Sequence, residues 1–293
     1  MYHLSDKFFR LSQLLGGLIA TTIIAIIVIV LLIEAWPSVA HYGLFHFFTA
    51  SGWFPLEAEY NLAPMLTGTL VITLGAMFIA IPLSLASSIF VVFYIHGVYQ
   101  HLVTRLLELL SGIPSVVFGL WGMIFVVPAL LKIKSPGTSL AAGSIVLATM
   151  LIPGLVLMCM MAFRQTLEHF YLAGRSLGLT KMQTVIQVLI PSSLPSLSSA
   201  MFLQTARAIG ETMAVLMVCG NIIQYPTSLF DPVRTLSTNA ALEMAYATGD
   251  HRSALFTSGL LLLGLVAILL KTSRQRSIPE NIACFRSRTR ESL

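Results

Sequence analysis

Long uncharged stretches alternate with short polar segments along this chain. Six of them are long enough, at roughly 20 apolar residues, to cross the hydrocarbon layer of a membrane. Because backbone amides facing lipid must be satisfied within their own segment, each stretch is predicted to be helical. The six cover approximately 13–35, 65–95, 103–131, 138–163, 193–218 and 254–271. The pattern therefore predicts an all-α fold, a polytopic membrane helical bundle with about six transmembrane helices.

Two of these stretches bear on the number of crossings. The second is longer than one crossing needs and contains Pro82, which predicts a tilted or kinked helix rather than two crossings. The first run, from about Leu14 to Ile33, is too long for the apolar core of a signal peptide and has no obvious small-residue cleavage site after it. We expect it to be a retained membrane anchor.

The composition supports a membrane domain. Of the 293 residues, 56% are hydrophobic and 10% are charged, and the mean hydropathy is +0.87. Soluble domains usually carry about 25% charged residues. The net charge of +5 does not indicate a nucleic-acid partner, because the basic residues lie in short loops and at the C-terminus, beside apolar spans. We therefore expect the apolar helices of this chain to be surrounded by membrane lipid.

The distribution of lysine and arginine predicts the orientation. Twelve of these residues fall on one side of the six-span arrangement and four on the other, with Arg207 left inside a span. Basic residues favour the cytoplasmic side, so both termini are predicted to be cytoplasmic in a bacterial inner (plasma) membrane. The expected regions are a cytoplasmic N-terminus (1–12), a transmembrane domain (13–271) with a cytoplasmic segment at about 164–191, and a basic tail (272–293).

Two extracytoplasmic loops of some size remain, around 36–64 and 219–253. Amphipathic aromatic side chains in such loops are expected to anchor the membrane interface. The candidates are Trp36, Trp53, Tyr60, Tyr225 and Tyr246.

The fifth stretch contains two opposite charges, Arg207 and Glu211. An arginine near the middle of a membrane costs at least ~2.5–3.5 kcal/mol on insertion scales, so it needs a partner or a polar cavity. At a spacing of i, i+4 on a helix the two side chains share one face, where the carboxylate can neutralise the guanidinium. One interpretation is a structural pair that closes a polar bundle interior.

The other interpretation is an anion gate. A planar guanidinium suits a tetrahedral oxyanion, and Glu211 would hold Arg207 while no substrate is present. Glu211 would also accept a hydrogen bond from a protonated phosphate, which a fully deprotonated anion such as sulfate cannot donate.

Hydroxyl groups on two other spans are candidates for lining a pore. Ser111 and Ser115 flank Gly112 and Pro114 in the third stretch. Since proline removes a backbone donor and glycine permits close contact, a break here would free carbonyls and position both hydroxyls. A packing kink is an equal alternative. Thr69 in the second stretch is also ambiguous, because threonine hydroxyls often satisfy their own helix carbonyls.

The cytoplasmic connection has helical periodicity on both sides of a glycine turn, from Tyr171 to Pro191. Two short helices of this kind would form a knob that enters a groove on another protein. Amphipathic helices also lie on membrane surfaces, which is the alternative.

The sequence contains no pattern typical of an enzyme or a metal site. It has no GxxxxGK[ST] motif for ATP and no HExxH arrangement, and the seven histidines are scattered. The three cysteines, Cys159, Cys219 and Cys284, are widely spaced. No nucleophile–base set stands out, so neither catalysis nor a cofactor nor a bound metal is predicted.

Three segments together resemble the inner-membrane permeases of ABC importers, specifically the PstC-type phosphate permeases. They are Leu109–Gly122, Leu177–Pro191, and Ala206–Gly220 with Asn221, and the similarity covers about 65–270. The arginine, glycine and glutamate of the RAIGET segment are its most specific feature. The resemblance implies the type I permease fold and the import of inorganic phosphate.

The resemblance also implies partners and a pathway. The partners would be a second homologous permease subunit, two ATP-binding cassette subunits that hydrolyse ATP, and an extracytoplasmic phosphate-binding protein. Six residues are candidates for the substrate pathway: Arg207, Glu211, Thr212, Ser111, Ser115 and Thr69. A permease for another oxyanion (molybdate or sulfate) and a non-transporting phosphate-status sensor remain as alternatives.

The segment that would dock on the ATPase departs from the family pattern, which is Glu-Ala-Ala, three residues, then Gly. Leu172, Ala173 and Gly174 occupy the triplet, so the glutamate is missing, whereas Gly178 matches. Apolar burial and shape can sustain a docked helix without that carboxylate.

Overall fold

A computed structural model describes residues 2–176 and 178–277, without the side chains of 2–11, 168–175, 181 and 274–277. Helices dominate it from end to end. The first half of the chain contains α1 (Tyr2–Tyr42), α2 (His46–Thr49), the short strands β1 (Trp53–Phe54) and β2 (Glu59–Tyr60), α3 (Ala63–Phe93), α4 (Val98–Ser111), α5 (Ser115–Trp121) and α6 (Val127–Leu131). A π-helical turn, Gly122–Val126, joins α5 to α6.

The second half contains α7 (Leu140–Ser176), α8 (Lys181–Thr184), α9 (Ile190–Gly210), α10 (Met213–Val218), α11 (Leu236–Glu243) and α12 (Gly249–Ser277). A second π-helical turn, Val185–Leu189, joins α8 to α9.

Within the described residues, five helices are long and apolar enough to cross a membrane, and a bent pair brings the number to six. The second predicted span is one helix, α3, despite Pro82, so the prediction of a single crossing there is confirmed. The predicted span over 103–131 is broken near Pro114, because α4 and the helix after it differ in direction by 90°. Pro114, which cannot donate a backbone hydrogen bond, stands at that break as the cap of α5.

The prediction of one continuous helix over 193–218 is wrong. Helix α9 ends at Gly210, and α10 begins at Met213. Glu211 between them has an extended backbone, with φ −68° and ψ 127°. The apolar pattern continues across this point, so hydropathy alone does not reveal the interruption.

The chain divides into two compact units, and the first contains the described residues up to 63 together with 239–263. Strands β1 and β2 pair antiparallel there and place Trp53 opposite Tyr60. Both rings are buried, at 5% and 2% exposure. The Trp53 Nε1–H donates to Glu243 Oε2 at 2.8 Å, and His251 Nε2 lies 2.9 Å from the same oxygen. The expectation that Trp53 and Tyr60 anchor the membrane interface is therefore wrong.

The second unit contains residues 64–238 and the described residues from 264 onwards. Helix α7 is the most buried of its candidate spans and packs against α4, α5, α9 and α10. The segment between α10 and α11 folds back onto the start of α7, where Leu140 N–H donates to the Asp231 carbonyl at 3.0 Å. Ser139 N–H donates to the Val218 carbonyl at 3.1 Å. These bonds satisfy amide groups at a helix start that have no partner within the helix.

Candidate functional site

The interruption between α9 and α10 is the centre of the candidate site. Gly210 closes α9, and Glu211 and Thr212 form the two-residue link to α10. Two hydrogen bonds hold the backbone of the link at Glu211. Its N–H donates to the Ala208 carbonyl at 3.2 Å, and its carbonyl accepts from the Ser237 hydroxyl at 3.0 Å. Irregular backbone at membrane depth is tolerated where it is buried in protein or lines a cavity.

Glu211 directs its carboxylate to α10. Its Oε1 atom accepts a hydrogen bond from the Ala214 backbone N–H at 3.4 Å. The carboxylate thereby serves one of the orphan amide groups at the start of that helix. The Thr212 hydroxyl donates to the Gly210 carbonyl at 3.2 Å, so it satisfies the end of α9 in the same way.

Arg207 lies in the last turn of α9, and its side chain is exposed. Its guanidinium makes no hydrogen bond or ion pair with any residue in the described part of the chain. The ion pair expected between Arg207 and Glu211 is therefore not formed in this structure. The physical reason is the end of α9 at Gly210, which takes Glu211 off the helix face that an i, i+4 pair would share.

Gly154 of α7 provides space beside this guanidinium. A Cβ atom at that position would lie 3.0 Å from Gln204 Nε2 and 3.9 Å from Arg207 Nη1. Gln204 is buried, its Nε2 lies 3.4 Å from Met158 Sδ, and its Oε1 has no hydrogen-bond partner. Sequence reasoning missed Gly154 and Gln204. The available signals were the glycine after Pro153 and a glutamine one turn before the arginine.

Helices α5 and α10 run in parallel and pack closely. A Cβ atom at Gly119 would lie 2.8 Å from Met217 Sδ and 3.1 Å from Ala214 Cα. One turn further on, a Cβ atom at Gly122 would lie 3.0 Å from Val218 Cγ1. Later residues of the α5 side contact later residues of α10, so the two segments point in the same direction. Ser115 lies about one helical turn before Gly119, which places the start of α5 at the level of the α9–α10 link.

The two predicted serines are placed differently. Ser115 begins α5, directly after the break at Gly112–Pro114. Ser111 ends α4, and its hydroxyl donates to the Glu108 carbonyl at 2.8 Å within the same helix. The break that one interpretation of this segment required is thus present near Pro114, at the level of the α9–α10 link.

Thr69 is used structurally. It is buried, at 2% exposure, and its hydroxyl donates to the Met65 carbonyl at 2.8 Å. The same oxygen accepts the Leu236 backbone N–H at 3.1 Å, which holds the start of α11. Thr69 is therefore not brought together with Arg207 by any contact in the described structure.

The four coupling candidates lie where α7 ends. Leu172, Ala173 and Gly174 belong to its last turns, and their side chains fall outside the described part of the structure. Gly178 follows with a φ of +76°, a backbone conformation that favours glycine. The 272–293 tail is described only as far as residue 277, and Cys284 lies outside it.

Among the described residues, no group of three or more histidine, cysteine, aspartate or glutamate side chains is arranged to hold a metal ion. Cys159 and Cys219 are both buried and unpaired. The chemistry available at the α9–α10 link is therefore that of one cation, one carboxylate and hydroxyl groups.

This chain is similar in sequence to known inner-membrane transport proteins. A family described as binding-protein-dependent transport system inner membrane component matches residues 79–278. The probable ABC transporter permease protein YqgH of Bacillus subtilis is 36% identical over 223 residues, which cover 74% of this chain and 72% of that protein. The phosphate transport system permease protein PstC of Haemophilus influenzae is 29% identical over 290 residues and covers 92% of both.

A solved structure has the same fold. An inward-facing form of the MetNI methionine ABC transporter aligns with a TM-score of 0.59 at 19% identity, covering 73% of this chain and 93% of the matched chain. At this level of identity the likeness concerns the fold alone.

Proposed function

Because this chain belongs to the family of binding-protein-dependent transport system inner membrane components, we propose that it is the permease subunit of an ATP-driven importer of inorganic phosphate. It is a multi-pass inner-membrane protein with the permease fold of type I ABC importers, so the fold and the family predicted from the sequence are confirmed. Phosphate as the substrate is inferred from several relatives that are phosphate transport system permease proteins of the PstC type.

The observation that carries the proposal is the exposed guanidinium of Arg207 at the end of α9. A charge inside a membrane domain must face a partner, a polar cavity or water rather than lipid. No described residue of this chain neutralises it. An oxyanion that passes this point would meet a planar donor suited to two of its oxygens.

Glu211, Thr212 and Ser115 would complete the surroundings of the anion. Glu211 lies on the neighbouring link and holds α10 through Ala214. A carboxylate close to the pathway favours a protonated anion, because such an anion donates a hydrogen bond to it. This property separates phosphate near neutral pH from sulfate. Ser111 and Thr69 contribute less in this proposal, since their hydroxyls donate to their own helices.

The energy would come from partner subunits. Two ATP-binding cassette subunits would bind beneath the Leu172–Gly178 segment, and a second permease subunit would supply the other half of the pathway. An extracytoplasmic binding protein would deliver phosphate to the loops around 36–64 and 219–253. Both termini would lie in the cytoplasm, as the distribution of basic residues predicts.

Reconstitution of the full complex in vesicles tests the proposal. We expect ATP-dependent uptake of radiolabelled phosphate that excess sulfate or molybdate does not compete away. Arg207→Gln should reduce uptake at least tenfold, whereas Arg207→Lys should retain part of it, because an ammonium keeps the charge without the planar fork.

Three results would reject the proposal or part of it. Uptake of sulfate or molybdate in preference to phosphate would assign another oxyanion. A complete complex without uptake would favour the sensor. Unchanged uptake by Arg207→Gln would remove this residue from the pathway.

A further inference from the structure

Helices α7 and α9 form an open groove on the α8 side of Arg207. It has a volume of about 340 Å³, and its walls include Met158, Met161 and Gln165 from α7 and Ser196 and Leu203 from α9. This space is several times the roughly 30 Å³ that one water molecule occupies in the liquid. The groove is therefore large enough for a small hydrated anion.

The groove continues the exposed face of α9 that carries Arg207. Four exposed residues of α9 lie on one stripe of the helix, because they are spaced by about one or two helical turns. They are Ser192, Ser196, Leu203 and Arg207. From Arg207 to Ser196 the stripe runs about 16 Å along the axis at 1.5 Å per residue. One continuous surface thus leads from the cation to the groove.

Within the described part of the chain, two polar side chains in the groove have hydrogen-bonding groups that no other residue uses. The Ser196 hydroxyl and the Gln165 amide are exposed and make no hydrogen bond with any residue that the structure describes. Ser199 differs, because its hydroxyl proton is already donated to the Pro195 carbonyl at 2.9 Å. The groove therefore offers uncharged donors from both helices.

We propose that Ser196 and Gln165 form a second, weaker oxyanion station, which receives phosphate from Arg207 and passes it towards the α8 end of the groove. The inference rests on the proposed function and adds specific residues to it. A conducting pathway needs sites that bind enough for entry and weakly enough for exit. Neutral hydroxyl and amide donors meet that requirement better than another arginine, since hydrogen bonds to charged donors are roughly twice as strong.

Cysteine labelling tests whether the groove is an aqueous pathway. Ser196→Cys, in a chain whose Cys284 is replaced by serine, should react with a membrane-impermeant anionic methanethiosulfonate, and phosphate should slow the reaction at least threefold. Leu194→Cys is the matched control, because Leu194 is 55% exposed but lies on the opposite side of α9. The remaining Cys159 and Cys219 are buried, so they should contribute little background.

Measurements of phosphate uptake distinguish a failure of the second station from a failure of the proposed function. The double variant Gln165→Leu with Ser196→Ala should lower the maximum rate of phosphate uptake at least threefold in the assembled complex. Ser198→Ala removes a hydroxyl that donates to the Pro195 carbonyl on a neighbouring face, so it controls for the loss of a serine alone.

Each outcome has one meaning. Normal uptake by the double variant, together with loss of uptake in Arg207→Gln, would overturn the second station and leave the phosphate permease standing. Equal labelling at positions 194 and 196, without protection by phosphate, would overturn it too. A wild-type complex that transports no phosphate would overturn both.

Discussion

The carboxylate of Glu211 accepts a hydrogen bond from the backbone N–H of Ala214, 3.4 Å away. This contact gives the acid a role at the start of α10, while Arg207 at the end of α9 keeps its guanidinium exposed. The two charged residues of the RAIGET segment thus act at different helices, Arg207 in the last turn of α9 and Glu211 through its hydrogen bond to the start of α10. An anion that meets Arg207 would therefore not have to break an ion pair with Glu211.

Two replacements of Glu211 should show whether its hydrogen-bond acceptor or its negative charge stabilises the link. Glu211→Ala removes the acceptor and should destabilise the complex by about 0.5–1 kcal/mol, in the range for loss of a helix cap. Glu211→Gln keeps an acceptor oxygen and should cost less than half of that. Thermal unfolding of the detergent-solubilised complex measures both. Equal losses in the two variants would show that the negative charge, not the acceptor, stabilises the link.

Gly154→Val should obstruct the space beside Arg207. Its Cβ would lie 3.0 Å from Gln204 Nε2 and 3.9 Å from Arg207 Nη1, and the two further methyl groups would extend beyond that point. We expect uptake to fall at least fivefold while the complex still assembles. Gly264→Ala in α12 is the control, because no atom lies within 4 Å of a Cβ there. Full uptake by Gly154→Val would show that anions do not pass on this side of the guanidinium.

Gly119→Ala should disrupt the packing of α5 on α10. The new Cβ would lie 3.1 Å from a backbone atom, Ala214 Cα, and 2.8 Å from Met217 Sδ, so the helices must separate. Overpacking of this kind typically costs about 1–3 kcal/mol. Gly112→Ala is the matched control in the same span, because its nearest neighbour, Leu109 O, would be 3.5 Å away. A melting temperature unchanged in Gly119→Ala would contradict the close parallel contact.

Asp231 should give the segment before α11 an acid-sensitive stability. The Thr227 hydroxyl, followed by the backbone N–H groups of Ser228 and Thr227, binds its carboxylate and holds its pKa below the usual value. A lowered pKa means that the stabilisation is present above the ordinary value of about 3.9 and is lost as the pH falls through the folded-state pKa.

Asp231→Asn should therefore melt earlier than the wild type at pH 7, and the difference should shrink below about pH 4. A series of melting temperatures between pH 7 and pH 3.5 measures this. A difference that stays constant with pH would indicate that the carboxylate charge is not involved.

The helical membrane fold could be predicted from the sequence because hydropathy reports which segments need lipid. Helix α3 is one example, since its apolar run outweighs Pro82 and the helix continues through that residue. The role of Arg207 in a substrate pathway stays a prediction, which rests on the rule that an arginine inside an apolar run must face a partner, a polar cavity or water. These inferences need only local information.

The interruption at Glu211 could not be predicted in this way. Apolar residues lie on both sides of the Glu211–Thr212 link, at Ala208 and Ile209 and from Met213 onwards. The bonds that hold the link come from Ala214 and from Ser237, which lies 26 residues away in the chain. Trp53 shows the same limit, because its burial depends on Glu243, 190 residues further on. Contacts of this separation leave no periodic trace in the sequence.

Two neighbouring crossings are interrupted at the same level, at Gly112–Pro114 and at Glu211–Thr212. No continuous column of helical hydrogen bonds connects the lower part of either crossing to its upper part. A pivot at these two points would break none of the bonds that define α5 and α10. The residues before and after these two points can therefore change their relative direction while the hydrogen bonds within α5 and α10 stay formed.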